Sequence, residues 1–177
     1  MNPNKLHFKM MTFSFKLRDF FSPPRNILKE VGIKPGDHVL DYGCGPGSYI
    51  IPTAELVGKS GKIYALDVNP LAAQAVRKIS SKKGLTNVET ITSECKTGLP
   101  SESIDVVLLY DTFHALSDPN SVLKELHRVL KPDGILSLSD HHMTEGEIIS
   151  KITRSGLFKL SKKGGKVYNF QKRSSEK

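Results

Sequence analysis

From Asp37 onward the chain alternates short β-rich runs with stretches of helical periodicity, the pattern of a parallel sheet wrapped by crossover helices. Strands are expected at HVLDY (38–42), KIYALD (62–67), VETIT (88–92), IDVVLLY (104–110) and GILSLSD (134–140). Between them, LAAQAVRKI sets Leu71, Ala72, Ala75, Val76 and Ile79 on one helical face, and SVLKELHRVL does the same with Val122, Leu123, Leu126, Val129 and Leu130. Asn69-Pro70 and Asp118-Pro119 mark the starts of these two helices, each a capping residue followed by proline at the first helical position. A further helix, SYIIPTAELVG, is expected to begin at Ser48, where Pro52 is tolerable because it lies near the first turn.

After residue 140 the pattern changes. EGEIISKITRSG (145–156) reads as a helix, and LFKLSKKGGKVYNFQK as two alternating runs joined through Gly164-Gly165, an antiparallel hairpin. The expectation is an α/β fold of five parallel strands closed by a C-terminal hairpin, in one domain over residues 1–177. Its divisions are an amino-terminal segment (1–34), a core (35–172) and a frayed tail (173–177).

Charge is unevenly spread. Of the net +8, residues 1–34 carry 7 Lys/Arg against 2 Asp/Glu, residues 35–150 carry 10 against 15, and residues 151–177 carry 9 against 1. The body is acidic and the ends are basic, which argues against a polyanion lying across the centre, and no specific nucleic-acid partner is expected. No apolar run approaches the roughly 18 residues that span a bilayer, and lysines interrupt the hydrophobes of the amino terminus. A cytoplasmic protein without a membrane span is the expectation. Two cysteines and six scattered histidines offer neither a disulfide framework nor a metal-ligand spacing, so no metal is expected.

The chemistry concentrates in DYGCGPGS (41–48). A glycine-rich turn between the first strand and the first helix places a ligand at the carboxyl edge of the sheet. The dinucleotide spacing G-x-G-x-x-G fails at Ser48, and Asp41 would repel a pyrophosphate but attract a cation, by about 1 to 4 kcal/mol at 4 Å depending on the local dielectric. Asp67 ends the second strand, 24 residues after Gly43, where a carboxylate accepts hydrogen bonds from ribose hydroxyls. A nucleoside carrying a cationic centre describes S-adenosylmethionine.

VLDYGCGPGS followed by KIYALDVNP closely resembles the class I S-adenosylmethionine-dependent methyltransferases, in particular the small-molecule branch of ubiquinone and menaquinone biosynthesis, over residues 25 to 140. The resemblance implies a Rossmann-like, doubly wound seven-stranded sheet and a small-molecule methyl acceptor. It implies that Asp41, Gly43, Gly45 and Gly47 surround the methionine part of the cofactor, that Asp67 holds the ribose and that Val68 covers the adenine. Glu94 and Cys95 stand where the family commonly has Asp-Ala beside the adenine; taken alone, Cys95 reads first as a small buried hydrophobe. LLYDTFHAL (108–116) resembles the segment after the fourth strand, where Tyr110 would line the methyl-donor pocket.

Methyl transfer from a sulfonium needs alignment and exclusion of water more than a base. Where a base is needed, Asp111, His114, His141 and His142 are the candidates at the carboxyl ends of strands four and five. The family's usual insertion after the fifth strand is absent. The apolar residues of 8–31 are therefore expected to cover the pocket, to extend the core, or to form a homodimer contact. An RNA methyltransferase and a non-catalytic S-adenosylmethionine-binding module are the competing readings.

Overall fold

A computed structural model describes residues 3–173, with side chains described at residue 6 and from residue 8 onward. The elements run α1 (Pro3–Phe21), α2 (Pro24–Leu28), β1 (His38–Tyr42), α3 (Ile50–Val57), β2 (Lys62–Asp67), α4 (Pro70–Lys83), β3 (Val88–Thr92) and β4 (Ile104–Tyr110). After a 3-10 turn at Phe113–Ala115 come α5 (Pro119–Val129), β5 (Leu130–Ser139), α6 (Glu145–Arg154), β6 (Phe158–Lys163) and β7 (Tyr168–Lys172). The sheet order is β3-β2-β1-β4-β5-β7-β6. The first five strands pair in parallel, while β7 runs antiparallel to both β5 and β6. This is the seven-stranded, doubly wound sheet that the resemblance implies.

Burial on both faces of β4 explains the apolar run VVLLY (106–110). One face of the sheet packs on Leu28, Ile50, Val57, Ala72 and Val76 of α2, α3 and α4. The other packs on Val122, Leu123, Leu126, Ile148 and Ile152 of α5 and α6. The edge strand β6 shows exposed lysines, Lys159, Lys162 and Lys163, which discourage pairing with another chain.

The two proline-marked helix starts form as expected: the Asn69 side chain accepts from Leu71 N at 3.0 Å and Asp118 from Ser121 N at 3.1 Å. Several boundaries differ from expectation. The first four strands match residue for residue, whereas β5 starts at Leu130, four residues early, because α5 passes into it without a loop. Helix α3 starts at Ile50 rather than Ser48, since the glycine turn continues through residues 47–49, with Gly47 N donating to Cys44 O at 3.0 Å. The hairpin turn spans 164–167 and is closed by Gly164 N donating to Val167 O at 2.8 Å. Of the tail, Arg173 N still donates to Leu157 O at 2.8 Å, and residues 174–177 lie outside the described residues.

One polar knot positions the loop after β3. The Glu125 carboxylate on α5 accepts from Thr97 N (2.9 Å), Thr97 Oγ1 (2.6 Å) and Arg128 Nη2 (2.8 Å), and Arg128 also donates to Leu99 O at 2.9 Å. The Arg128 hydrogen bond, reinforced by Thr97 and opposed by partial burial, lowers the Glu125 pKa to about 2. Its contribution to stability is thus fully present above its ordinary 4.5 and is lost as pH falls through about 2. We expect Glu125→Gln to cost about 1–3 kcal/mol at neutral pH. Urea unfolding from pH 7 to pH 2 should find this deficit shrinking on the acid side.

Candidate active site

The carboxyl ends of β1, β2 and β4, at the point where strand order reverses, open into a cavity of about 640 Å³. Its floor is the DYGCGPGS turn. Gly43 adopts φ +80° and packs so closely on Thr112 that a Cβ would lie 2.6 Å from Thr112 Cγ2. Gly43 N and Cys44 N both donate to Leu66 O (2.8 and 2.9 Å), which pins the turn to the end of β2. Gly45, at φ +50°, would present its Cβ 3.2 Å from Phe15 Cε2 of α1. Gly47 faces the other way, onto Val76, Ile79 and Ile50.

Asp41 is the electrostatic centre of this floor. It is 3% exposed, and its Oδ2 has no hydrogen-bond partner. Burial first, and the neighbouring Asp67 second, push its pKa up to about 7 against the opposing pull of Arg18. A buried carboxylate in the cavity wall with one oxygen unpartnered fits a ligand that brings a cation or a hydrogen-bond donor. Asp67 is braced by the turn: its Oδ2 accepts from Gly45 N at 2.9 Å and its Oδ1 from Asn69 N at 2.8 Å. Each oxygen keeps a lone pair for a ligand hydroxyl.

Val68, Glu94 and Cys95 line the cavity at its β2–β3 side. Val68 is exposed, Glu94 Oε1 accepts from Ser117 Oγ at 2.7 Å, and Tyr42 OH donates to the Glu94 carbonyl at 2.7 Å. Cys95, half-buried, lines the cavity and also packs against the apolar core. Tyr110 lines the cavity at the end of β4, its hydroxyl 2.9 Å from Ser137 Oγ and its ring edge-on to Tyr49. Of the nine residues expected around the cofactor, eight line the cavity and Gly47 does not.

The four candidates for proton transfer divide. Asp111 lines the cavity with a left-handed backbone, φ +48°. Its Oδ1 is 2.7 Å from His141 Nδ1 and accepts from His141 N at 3.2 Å, while its Oδ2 accepts from Arg18 Nη1 at 2.9 Å. His114 is bound instead to Asp140, with Nδ1 2.9 Å from Oδ2, and His142 lies between His114 and His141 with ring centroids at 4.1 and 3.9 Å. Burial works to raise the Asp140 pKa, but hydrogen bonds from His114 and His142 outweigh it and hold the carboxyl low. The three histidines form a row of mutually tilted rings beside the cavity and do not line it.

The roof comes from α1. Met11, Phe15 and Arg18 line the cavity from above, and the Arg18 guanidinium sits 4.4 Å from the Phe15 ring centroid. Burial opposes its charge, yet the hydrogen bond to Asp19 and the nearby carboxylates hold Arg18 more firmly protonated than usual. Of the 8–31 segment, Met11, Phe15 and Arg18 on one face of α1 line the cavity, while Phe8 and Leu28 pack into the core. Sequence reasoning missed Arg18, which meets Asp111 across 93 positions with no local signal. It also missed Ser48 and Tyr49, which follow the glycine turn directly and could have been found from that spacing.

The chain belongs to a family of methyltransferase domains, whose profile matches residues 33–174. It is 30% identical over 130 residues to the demethylmenaquinone methyltransferase of Geobacillus stearothermophilus, covering 73% of this chain and 56% of that protein. It is 34% identical over 93 residues to the aklanonic acid methyltransferase DauC of Streptomyces sp. strain C5, covering 51% of this chain and 42% of that one. Among solved structures, an S-adenosylmethionine-dependent methyltransferase from Aquifex aeolicus superposes with a TM-score of 0.75 at 31% identity, over 85% of this chain and 88% of that one. The chain spans about half the length of the curated relatives it matches.

Proposed function

We propose that this protein binds S-adenosylmethionine in the cavity at the DYGCGPGS turn and catalyses methyl transfer to a small organic acceptor. The observation that carries the reading is the buried, unpartnered Oδ2 of Asp41 beside a bare glycine turn, a floor suited to a cationic cofactor and hostile to a pyrophosphate. In this reading Asp41, Gly43 and Gly45 hold the methionine part and Gly47 fixes the turn against α4. Asp67 holds the ribose, Val68, Glu94 and Cys95 border the adenine, and Tyr110 lines the donor pocket. When bound, the cofactor supplies an activated methyl group. The protein then has to align the acceptor and exclude water, a task for Met11, Phe15 and Arg18 in the roof.

Where the acceptor must lose a proton, Asp111 is the group within reach, with His141 behind it as the base that relays the proton outward. Small organic acceptors are supported by the named substrates of the relatives and by the carboxylates that line the cavity, which would repel an RNA backbone. The two free cysteines fit a reducing compartment such as the cytoplasm. No helix among the described residues is long and apolar enough to cross a membrane. A homodimer through the amino-terminal segment is the weaker use of that segment, because the exposed Lys9 and Lys16 would meet no carboxylate on α1 of a second copy.

Calorimetric titration should give micromolar binding of S-adenosylmethionine or its demethylated product. No heat with either, together with binding of a nicotinamide dinucleotide, would overturn the cofactor assignment. Asp111→Ala should lower kcat on an acceptor that requires deprotonation by roughly 10²–10⁴-fold while leaving cofactor affinity within a few fold. An unchanged kcat there would remove Asp111 from the chemistry.

A further inference from the structure

The face of α1 that looks away from the cavity is unaccounted for by methyl transfer. Leu6, Met10, Phe13, Leu17, Phe20 and Phe21 lie on it, each between 44% and 78% exposed. The spacing of the first five alternates four and three residues, so they form one stripe along the helix, with Phe21 beside its end. Lys9 and Lys16, also exposed, are seven residues apart and therefore stand one above the other along one flank of that stripe. At the carboxyl end of the helix, Lys166 of the hairpin turn reaches Ser22 Oγ at 3.3 Å. A stripe this apolar, bordered by cations, is a surface built for a partner.

We propose that α1 docks the protein on an anionic lipid bilayer, lying in the headgroup plane with the stripe Leu6–Met10–Phe13–Leu17–Phe20 turned into the acyl boundary and Lys9 and Lys16 against lipid phosphates. The charge pattern selects this occupant over a second copy of the chain. In an antiparallel pair of α1 helices the lysine flanks face each other, and in a parallel pair they face the flank of Ser14 and Phe21. Neither arrangement supplies a carboxylate, because the one acid of α1, Asp19, is held by Arg18 on the cavity side. The stripe is also only about two heptads long, short for a self-sufficient coiled coil. An anionic surface satisfies both features at once: lysines gain from the negative potential and phenylalanines from leaving water. The roof of the cavity is then held at the bilayer surface, and the docking itself needs no methyl transfer.

The test is co-sedimentation of the full chain, without cofactor, with vesicles of phosphatidylcholine alone and of phosphatidylcholine containing about a third phosphatidylglycerol, at near-physiological salt. Partition onto the anionic vesicles only is expected. Lys9→Gln/Lys16→Gln should weaken it roughly thirtyfold, as two surface lysines imply. Phe13→Ser/Phe20→Ser should weaken it at least about tenfold, as the loss of two buried aromatic side chains implies. Both double variants alter only exposed side chains, so circular dichroism melts should match the parent. Equal partition onto neutral vesicles, no partition onto either, or indifference to both double variants would overturn the proposal. So would a dimer in sedimentation velocity that Phe13→Ser/Phe20→Ser dissolves, which would give this face to a second copy.

Discussion

Asp41→Asn should lose S-adenosylmethionine affinity by on the order of a hundredfold, and yet leave the ligand-free protein as stable as the parent or more so at pH 8. The two effects have one origin. Burial and Asp67 raise the carboxyl from its ordinary 3.8 to about 7. The unfolded chain therefore gives up this proton near pH 4 and the folded chain only near pH 7. Between those values the folded state holds the extra proton, so the stability of the free protein declines as pH rises, and the penalty is complete above about 7. That gap corresponds to something on the order of 4 kcal/mol. An amide carries no charge to desolvate, so the declining slope should vanish in the variant. A cationic ligand needs the carboxylate, so the parent's apparent affinity should rise with pH through about 7, with release of a proton. Melts from pH 5 to pH 8 read the first effect, and titrations in two buffers of different ionisation enthalpy read the second. Unchanged affinity in Asp41→Asn would remove the ion pair from the account of the site.

Gly43→Ala should be the most damaging single methyl in the turn. The residue sits at φ +80°, which costs an L-residue about 1–2 kcal/mol. The new methyl would also be driven into Thr112, whose hydroxyl is held by the Tyr110 carbonyl at 2.9 Å, so the side chain cannot swing away freely. Overpacking of that kind adds about 1–3 kcal/mol, for a loss of roughly 5–15 °C in Tm in a domain of this size. Gly84→Ala is the matched control: its φ is +63°, but nothing lies near the added methyl, so about 1 kcal/mol is expected. Equal losses at the two positions would mean that Thr112 yields and the turn is loosely built.

What the sequence made legible and what it hid follow from the range of the forces involved. Strands β1 to β4 could be read to the residue because each is a short run rich in β-branched or aromatic residues ended by an acid or a turn, and α4 and α5 because a proline cap and a single apolar face agree. Helix α1 escaped as a helix because both of its faces are apolar: Phe8 and Phe15 point inward and Phe13 and Phe20 outward, so no single stripe emerges. The onset of β5 was hidden by Lys131-Pro132-Asp133-Gly134, a run that reads as a turn and forms a bulge in the pairing with β4, between Leu130 opposite Ile104 and Ile135 opposite Val106. In the site, the residues that follow local rules were legible: Asp41, the glycines and Asp67 sit at strand ends. The Arg18–Asp111–His141 chain was not, since it joins three distant segments and has no periodicity to betray it.

The segment shared with the methyltransferase family begins at residue 33, so floor and roof of the cavity come from different parts of the chain: the floor lies inside the shared segment, the roof in the helix ahead of it. The two halves are joined chiefly by side chains, Phe15 against Gly45 and Arg18 against Asp111, and not by a shared backbone element. Such a construction is modular. Exchanging the helix for another keeps the backbone bonds that pin the glycine turn to Leu66 but removes the pull of Arg18 on Asp41, so a new roof would preserve the shape of the floor while resetting the charge state of its carboxylate.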